Sequence, residues 1–168
     1  MSNPNLVNFH WLSPLGISVV FFILHGALYL LIGIAWPFAA DSAASREILI
    51  MSPRTDTTVF GDTPENVRRD NPQLIRFRRI AFNIMSGLMV TAGVMLISLA
   101  WFGLRQGHHW ALGALTLASA VTLPYWWLVV RDYWQAGAPP TLGDLPPFMW
   151  IPAALLLPAV ILGWIGLR

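Results

Sequence analysis

Nine tryptophans stand at the ends of four apolar segments, and none stands in the middle of one. Trp11 and Trp36 bracket the first segment and Trp101 closes the second. Trp110 and the group Trp126, Trp127 and Trp134 bracket the third, and Trp150 and Trp164 the fourth. Indole is flat and amphipathic. It settles at the headgroup level of a bilayer with its ring buried and its N–H wet, so tryptophans gather in belts at both membrane faces. The apolar spans are residues 15–38, 80–104, 110–130 and 151–167, and at 1.5 Å per residue each can cross a hydrocarbon core of ~30 Å. Lipid offers no partner to an unpaired peptide group, so the segments must be helices; a barrel would need alternating strands, and these runs are continuous. The expected fold is all-α, an integral membrane four-helix bundle. It forms one transmembrane domain over residues 1–168, with a long cytoplasmic loop, 39–79, between helices one and two.

The chain is 56% hydrophobic and 11% charged, outside the range of an ordinary soluble domain. Absence of cysteine excludes disulfides, thiolate metal sites and cysteine nucleophiles. All ten basic residues are arginine. Arg46, Arg54, Arg68, Arg69, Arg76, Arg78 and Arg79 lie in the first loop and Arg131 ends the third span on the same side, with only Arg105 and Arg168 opposite. The positive-inside rule then puts the first and third loops in the cytoplasm and both termini outside. The expected location is therefore a membrane, with the chain integral to it. The carboxylates share the loop side, so the high pI of about 9.7 reflects few charges on a membrane chain and gives no support to nucleic-acid binding. The first segment lacks a basic n-region and is too long for a signal peptide, so it reads as a retained helix.

Residues 1–14 read as an interfacial anchor through Phe9, His10 and Trp11. Loop 39–79 is long for a compact bundle, and short helices are expected to divide it. Asp41 or Ser42 can cap a turn running through 48–51, Thr63-Pro64-Glu65 is an N-cap, N1-proline and acidic-first-turn signal, and Asn71-Pro72 repeats it. The second transmembrane helix then begins near Pro72, with Arg76, Arg78 and Arg79 among anionic headgroups. Residues 135–147 contain Pro139-Pro140 and Pro146-Pro147 and read as a stiff strap. The two halves show no internal repeat, against an inverted-repeat transporter. The Gly-punctuated run WFGLRQGHHWALG from Trp101 makes spans two and three a tight antiparallel hairpin. It resembles the helix–turn–helix of small four-helix bacterial membrane proteins, DoxX-like ones among them; the resemblance implies a bacterial inner-membrane origin and transfers no functional residue.

His25 is the ionisable residue deep inside a span, and such residues are functional candidates by default. Helical spacing puts Ser18, Phe22, His25, Tyr29 and Trp36 on one stripe facing the bundle. His25 reads either as a neutral imidazole bonded to a neighbour such as Tyr29 or Asn83, or as part of a cofactor site with Tyr29 and Ser18. The second would mean an axial ligand to a tetrapyrrole metal or a contact to a lipid or quinone. His108 and His109, with His10 on the same face, lack the convergence a metal site needs, so no metal site is expected. Asn83, Ser86, Gly87 and Gly93, with Ala111, Ala114, Ala118 and Thr122, mark packing seams. Pro124 is expected to kink the third span and to free space for a pocket beside Tyr125-Trp126-Trp127.

The sequence contains no zincin, nucleophile-elbow or phosphate-loop motif and no mid-membrane carboxylate, which argues against proton-coupled transport and leaves an enzyme without named catalytic residues. The first expectation is a non-catalytic accessory or scaffolding subunit, with the lipid bilayer and other membrane subunits as partners. The second is a binding module for an apolar cofactor, pigment, lipid or quinone near His25 and the Pro124 kink; the third is a membrane enzyme acting on a lipid-like substrate.

Overall fold

The structure is a computed structural model that describes residues 9–39 and 47–168, and among these every regular element is a helix. In chain order these are α1 (Pro14–Ala39), α2 (Pro53–Phe60), α3 (Pro64–Asp70), α4 (Pro72–Phe102), a 3-10 turn (Leu104–Gln106), α5 (His109–Ala120), α6 (Leu123–Gln135) and α7 (Pro147–Gly166). Four helical stretches are long and apolar enough to cross a membrane: α1, α4 with its turn, α5 with α6, and α7. They cover the spans expected from the tryptophans. The tryptophans at their ends stay accessible, with Trp11, Trp101, Trp110, Trp127, Trp134, Trp150 and Trp164 all exposed.

Helix α1 is the central element, packed along both α4 and α7. Its buried stripe runs through Leu15, Ser18, Val19, Phe22, His25, Gly26, Tyr29 and Gly33, which is the stripe that 3.6-residue periodicity requires. The main core joins it to Leu96 and Ala100 of α4, Ala111, Leu112 and Leu115 of α5, and Ala159 of α7. The α1–α4 approach is close because Gly26 and Gly93 meet: a Cβ on Gly93 would stand 2.6 Å from the Gly26 carbonyl oxygen and 2.8 Å from the Leu30 nitrogen. Of the seam expected on this helix, Ser86 and Gly93 are buried in it. Asn83 and Gly87 are instead exposed, beside the strip of α4 through Ser86, Val90 and Gly93 that meets α1. On α5, Ala111 is buried and Ala118 exposed.

Local signals explain the ends. Helix α4 starts at Pro72, as the Asn71-Pro72 pair implies, and Thr63 caps α3 by accepting from the Asn66 amide at 3.3 Å. Between α4 and α5 the chain reverses through the 3-10 turn and Gly107, whose φ of 81° only glycine adopts readily. The guanidinium of Arg105 lies over the rings of Trp101, Phe9 and Trp11 at 4.3, 5.2 and 5.8 Å, tying the entry to α1 onto this hairpin. The third span is interrupted: Pro124 has no N–H for the Ala120 carbonyl, so α5 stops at Ala120 and α6 begins at Leu123. Two expectations for the first loop need separate treatment. The capping role of Asp41 or Ser42 falls outside the described residues. Residues 48–51, expected to lie in a capped turn, form an irregular bend that leads into α2, for a reason found in their hydrogen bonds.

Candidate functional site

The bend at 48–51 is held by one carboxylate. Asp56, in the first turn of α2, is fully buried. Its Oδ2 accepts from the backbone amides of Leu49 at 2.7 Å and Ile50 at 2.9 Å, and its Oδ1 from the amide of Met51 at 3.2 Å. Tyr133 of α6 donates its hydroxyl to the same Oδ1 at 2.7 Å. Three successive amides converging on a carboxylate cannot also serve a helix, which is why the bend is irregular. The charge-assisted bonds replace the ladder that was given up. Ser52 and Pro53 start α2 in the same N-cap and N1-proline pattern as Thr63 and Pro64, with the Ser52 hydroxyl accepting from the Thr55 amide at 3.3 Å.

A second carboxylate ties α2 to the proline strap. Asp144 accepts from the Ser52 hydroxyl at 2.7 Å, and from the Thr141 amide and hydroxyl at 2.8 and 2.7 Å. It also pairs with Arg54, which donates in addition to the Pro139 carbonyl at 3.1 Å. The Arg54 hydrogen bond holds the Asp144 carboxyl well below the usual carboxylate range, with the bonds from Thr141 and Ser52 acting in the same direction. Met51, Tyr133, Ala138 and Met149 form a small separate core beneath these contacts.

Held in this way, the bend roofs a cleft of about 350 Å³. Leu49, Ile50, Met51 and Phe60 form the roof side, Leu74, Phe77, Arg78, Ala81, Phe82 and Met85 of α4 one wall, and Trp126 and Val129 of α6 another, completed by Pro146, Phe148 and Met149. Among the described residues Arg78 is the one charged residue of the lining, and its Nε donates to the Leu49 carbonyl at 2.6 Å. Pockets of this size and apolar character suit hydrophobic ligands. Of the residues at the Pro124 break only Trp126 lines this cleft, which lies between α6, α4 and the bend, and His25 is not among its lining residues.

The three candidate residues of α1 occupy a different place. Ser18 donates its hydroxyl to the Ala159 carbonyl at 2.7 Å, joining α1 to α7. His25 is 2% exposed, its Nδ1 lies 3.5 Å from the Ser119 hydroxyl, and its Nε2 has no hydrogen-bond partner among the described residues. Tyr29 meets the His25 ring edge-on at 4.9 Å. Of the two neighbours expected for the imidazole, Tyr29 lies against the ring, and the hydrogen-bonding neighbour is Ser119 rather than Tyr29 or Asn83. None of the three residues lines the cleft. At the hairpin end, His108 stacks on Trp110 at 6.2 Å and the His10 Nδ1 accepts from the Leu12 amide at 3.2 Å.

The sequence reading missed Asp56 and Tyr133. The Ser52-Pro53 cap signal was available to locate α2, but no local pattern announces a bond between residues 77 positions apart. Comparison of the chain with protein-family models, curated proteins and solved structures yields no match.

Proposed function

We propose that this chain is a non-catalytic integral membrane protein that holds the hydrocarbon chain of a membrane lipid in the cleft between α4, α6 and the 48–51 bend. The observation that carries this reading is the cleft itself: an almost wholly apolar, half-open groove whose roof is anchored by a buried carboxylate. At ~30 Å³ per unit, the share of a water molecule in the liquid, about 350 Å³ takes roughly a dozen methylene-sized groups. That is the bulk of one acyl chain or a few isoprene units. No histidine lines the cleft, so a metal-centred pigment would find no axial nitrogen there. Organic extraction of the purified full chain, followed by mass analysis, should recover about one lipid per protein. Ala81→Trp, which fills the cleft from α4, should reduce that recovery to background, and equal recovery from both proteins would overturn the reading.

In the membrane the four spans are read as one bundle in a bacterial cytoplasmic membrane, with the 39–79 loop and the strap on the cytoplasmic side and both termini outside. The support is the arginine distribution, since moving the arginine-rich loop across a bilayer violates the bias that sets orientation. Alkaline phosphatase fused after Arg168 should be active and silent when inserted near Gly61; the reverse pattern inverts the orientation.

A second reading, an accessory subunit in a larger membrane complex, is favoured by the third span. Only 11% of its most apolar stretch is buried within the chain, leaving wide apolar faces for lipid or another subunit. A lone monomer after gentle-detergent purification would count against this reading and leave the cleft proposal untouched.

A further inference from the structure

We infer that the Trp101 end of the bundle holds an anionic phospholipid of the surrounding leaflet, its phosphate paired with Arg105. Charge is divided unevenly along the molecule. Eight of the ten arginines and all eight carboxylate side chains lie on the loop side and cancel, so the formal net charge of +2 belongs to Arg105 and Arg168 at the other end. Three aromatic rings from other parts of the chain hold Arg105 in place. Its guanidinium carbon lies 4.3 Å from the ring centroid of Trp101 in the last turn of α4, and 5.2 and 5.8 Å from those of Phe9 and Trp11 at the entry to α1. Phe9 and Trp11 meet edge to face at 4.9 Å, and Trp11 and Trp101 are 6.1 Å apart, so the rings form one platform. Ring contacts engage the charge and order the long side chain. Among the described residues no carboxylate, carbonyl or hydroxyl accepts from Arg105, and the residue is only half-buried. Its planar fork of five N–H donors is therefore left for an anion, and paired phosphate oxygens fit that fork.

Depth in the bilayer selects the source of the phosphate. Helix α4 has 31 residues and is about 46 Å long at 1.5 Å per residue, so it passes beyond a hydrocarbon core of ~30 Å. Trp11 and Trp101 are exposed at the level where indoles meet headgroups, and lipid phosphates lie at that level. Glycerol and the first methylenes can then cover the ring faces while the phosphate meets the guanidinium. A choline headgroup has the opposite requirement, because its cation favours the ring faces that Arg105 already occupies. The arrangement thus separates an anionic glycerophospholipid from a zwitterionic one.

A lipid held through one headgroup exchanges with detergent, and this site is separate from the cleft. The test therefore supplies lipid and fills the cleft. Native mass spectrometry of the full Ala81→Trp chain, released from micelles of equimolar phosphatidylglycerol and phosphatidylcholine, should show phosphatidylglycerol retained by preference. The expected factor is about fivefold, corresponding to ~1 kcal/mol per basic residue at an anionic surface. Arg105→Gln should reduce the preference to near unity, and should lower it likewise in the chain with Ala81 intact. Arg105→Lys keeps the charge on the rings without the fork and should retain part of the preference, which separates loss of the site from loss of the fold. Arg131→Gln, at an exposed arginine on the loop side, should leave it unchanged, and added inorganic phosphate should not displace the lipid. Displacement by inorganic phosphate would assign the site to a soluble anion and overturn the inference. Equal retention of the two lipids, or a preference that survives Arg105→Gln, would overturn it as well, and none of these outcomes bears on the cleft.

Discussion

Replacing Asp56 with alanine should release the roof of the cleft without unfolding the membrane helices. The carboxylate, itself fully buried, collects the amides of Leu49, Ile50 and Met51 and the hydroxyl of Tyr133. A buried donor left without its acceptor costs about 1–3 kcal/mol, so four donors at the low end of that range come to about 4 kcal/mol. The bend can avoid that cost by swinging its amides into water. Local opening, rather than global unfolding, is therefore the expected response. Hydrogen exchange followed by mass spectrometry reads it directly: exchange at 49–51 should accelerate by about three orders of magnitude, since ~1.4 kcal/mol corresponds to a factor of ten. Exchange in the middle of α1 should stay slow. Tyr133→Phe removes one donor and leaves the three amides satisfied. The loss of one hydrogen bond to a charged group, about 1.5–3 kcal/mol, should accelerate exchange by roughly tenfold to a hundredfold. In the double variant the tyrosine substitution should add almost nothing, because its partner is already gone. If Asp56→Ala changes exchange at 49–51 by less than threefold, or if the two substitutions act additively, the carboxylate does not hold the roof.

Three other expectations follow from named contacts. Asp144 has a folded-state pKa depressed by Arg54, so its contribution is fully present above the unfolded value of about 3.9 and is lost as pH falls toward the folded value. Protection at Ser52 and Thr141, taken as exchange relative to the intrinsic amide rate at each pH, should thus fall as pH drops below about 4 in the native chain, and Asp144→Asn should remove that dependence. Gly93→Ala drives a methyl into the Gly26 backbone and should cost about 1–3 kcal/mol of overpacking, whereas Gly113→Ala, where a Cβ meets open space, should be neutral; equilibrium unfolding in sodium dodecyl sulfate compares the two. His25→Leu removes a buried ring whose Nε2 lacks a partner among the described residues, so it should change stability by less than about 1.5 kcal/mol and leave lipid retention as it was. A visible chromophore lost on that substitution would reinstate His25 as a cofactor ligand.

Features of this protein that were legible in its sequence depend on neighbours along the chain or on the solvent. Tryptophan belts and unbroken apolar runs mark four helical spans because lipid penalises any unpaired peptide group. Thr63-Pro64 starts α3 through a side-chain cap and a ring-fixed φ angle, and Asn71-Pro72 starts α4 through the proline at its first turn, with no capping bond from the Asn71 side chain among the described residues. The glycine-rich run after Trp101 reverses the chain, and Pro124 interrupts the third span, because each acts on its own backbone. The buried stripe of α1 was legible for the same reason, since period 3.6 places Ser18, Phe22, His25 and Tyr29 on one side whatever they meet there.

What those side chains meet was decided by tertiary packing. Periodicity gave His25 a direction but not Ser119 as its neighbour, and it could not show that Asn83 and Gly87 stay exposed while Ser86 and Gly93 are buried. Residues 48–51 look like an apolar helical turn, and Asp56 like an ordinary acidic residue in the first turn of a helix. Only when α6 brings Tyr133 against α2, and the strap brings Asp144 against Ser52 and Arg54, do the two carboxylates acquire partners 77 and 90 residues away. The cleft belongs to this second class, because it is the space left between α4, α6 and a bend held by those bonds. Sequence pattern records which surfaces avoid water, whereas a cavity depends on the distances among surfaces from distant parts of the chain, which only the folded arrangement sets.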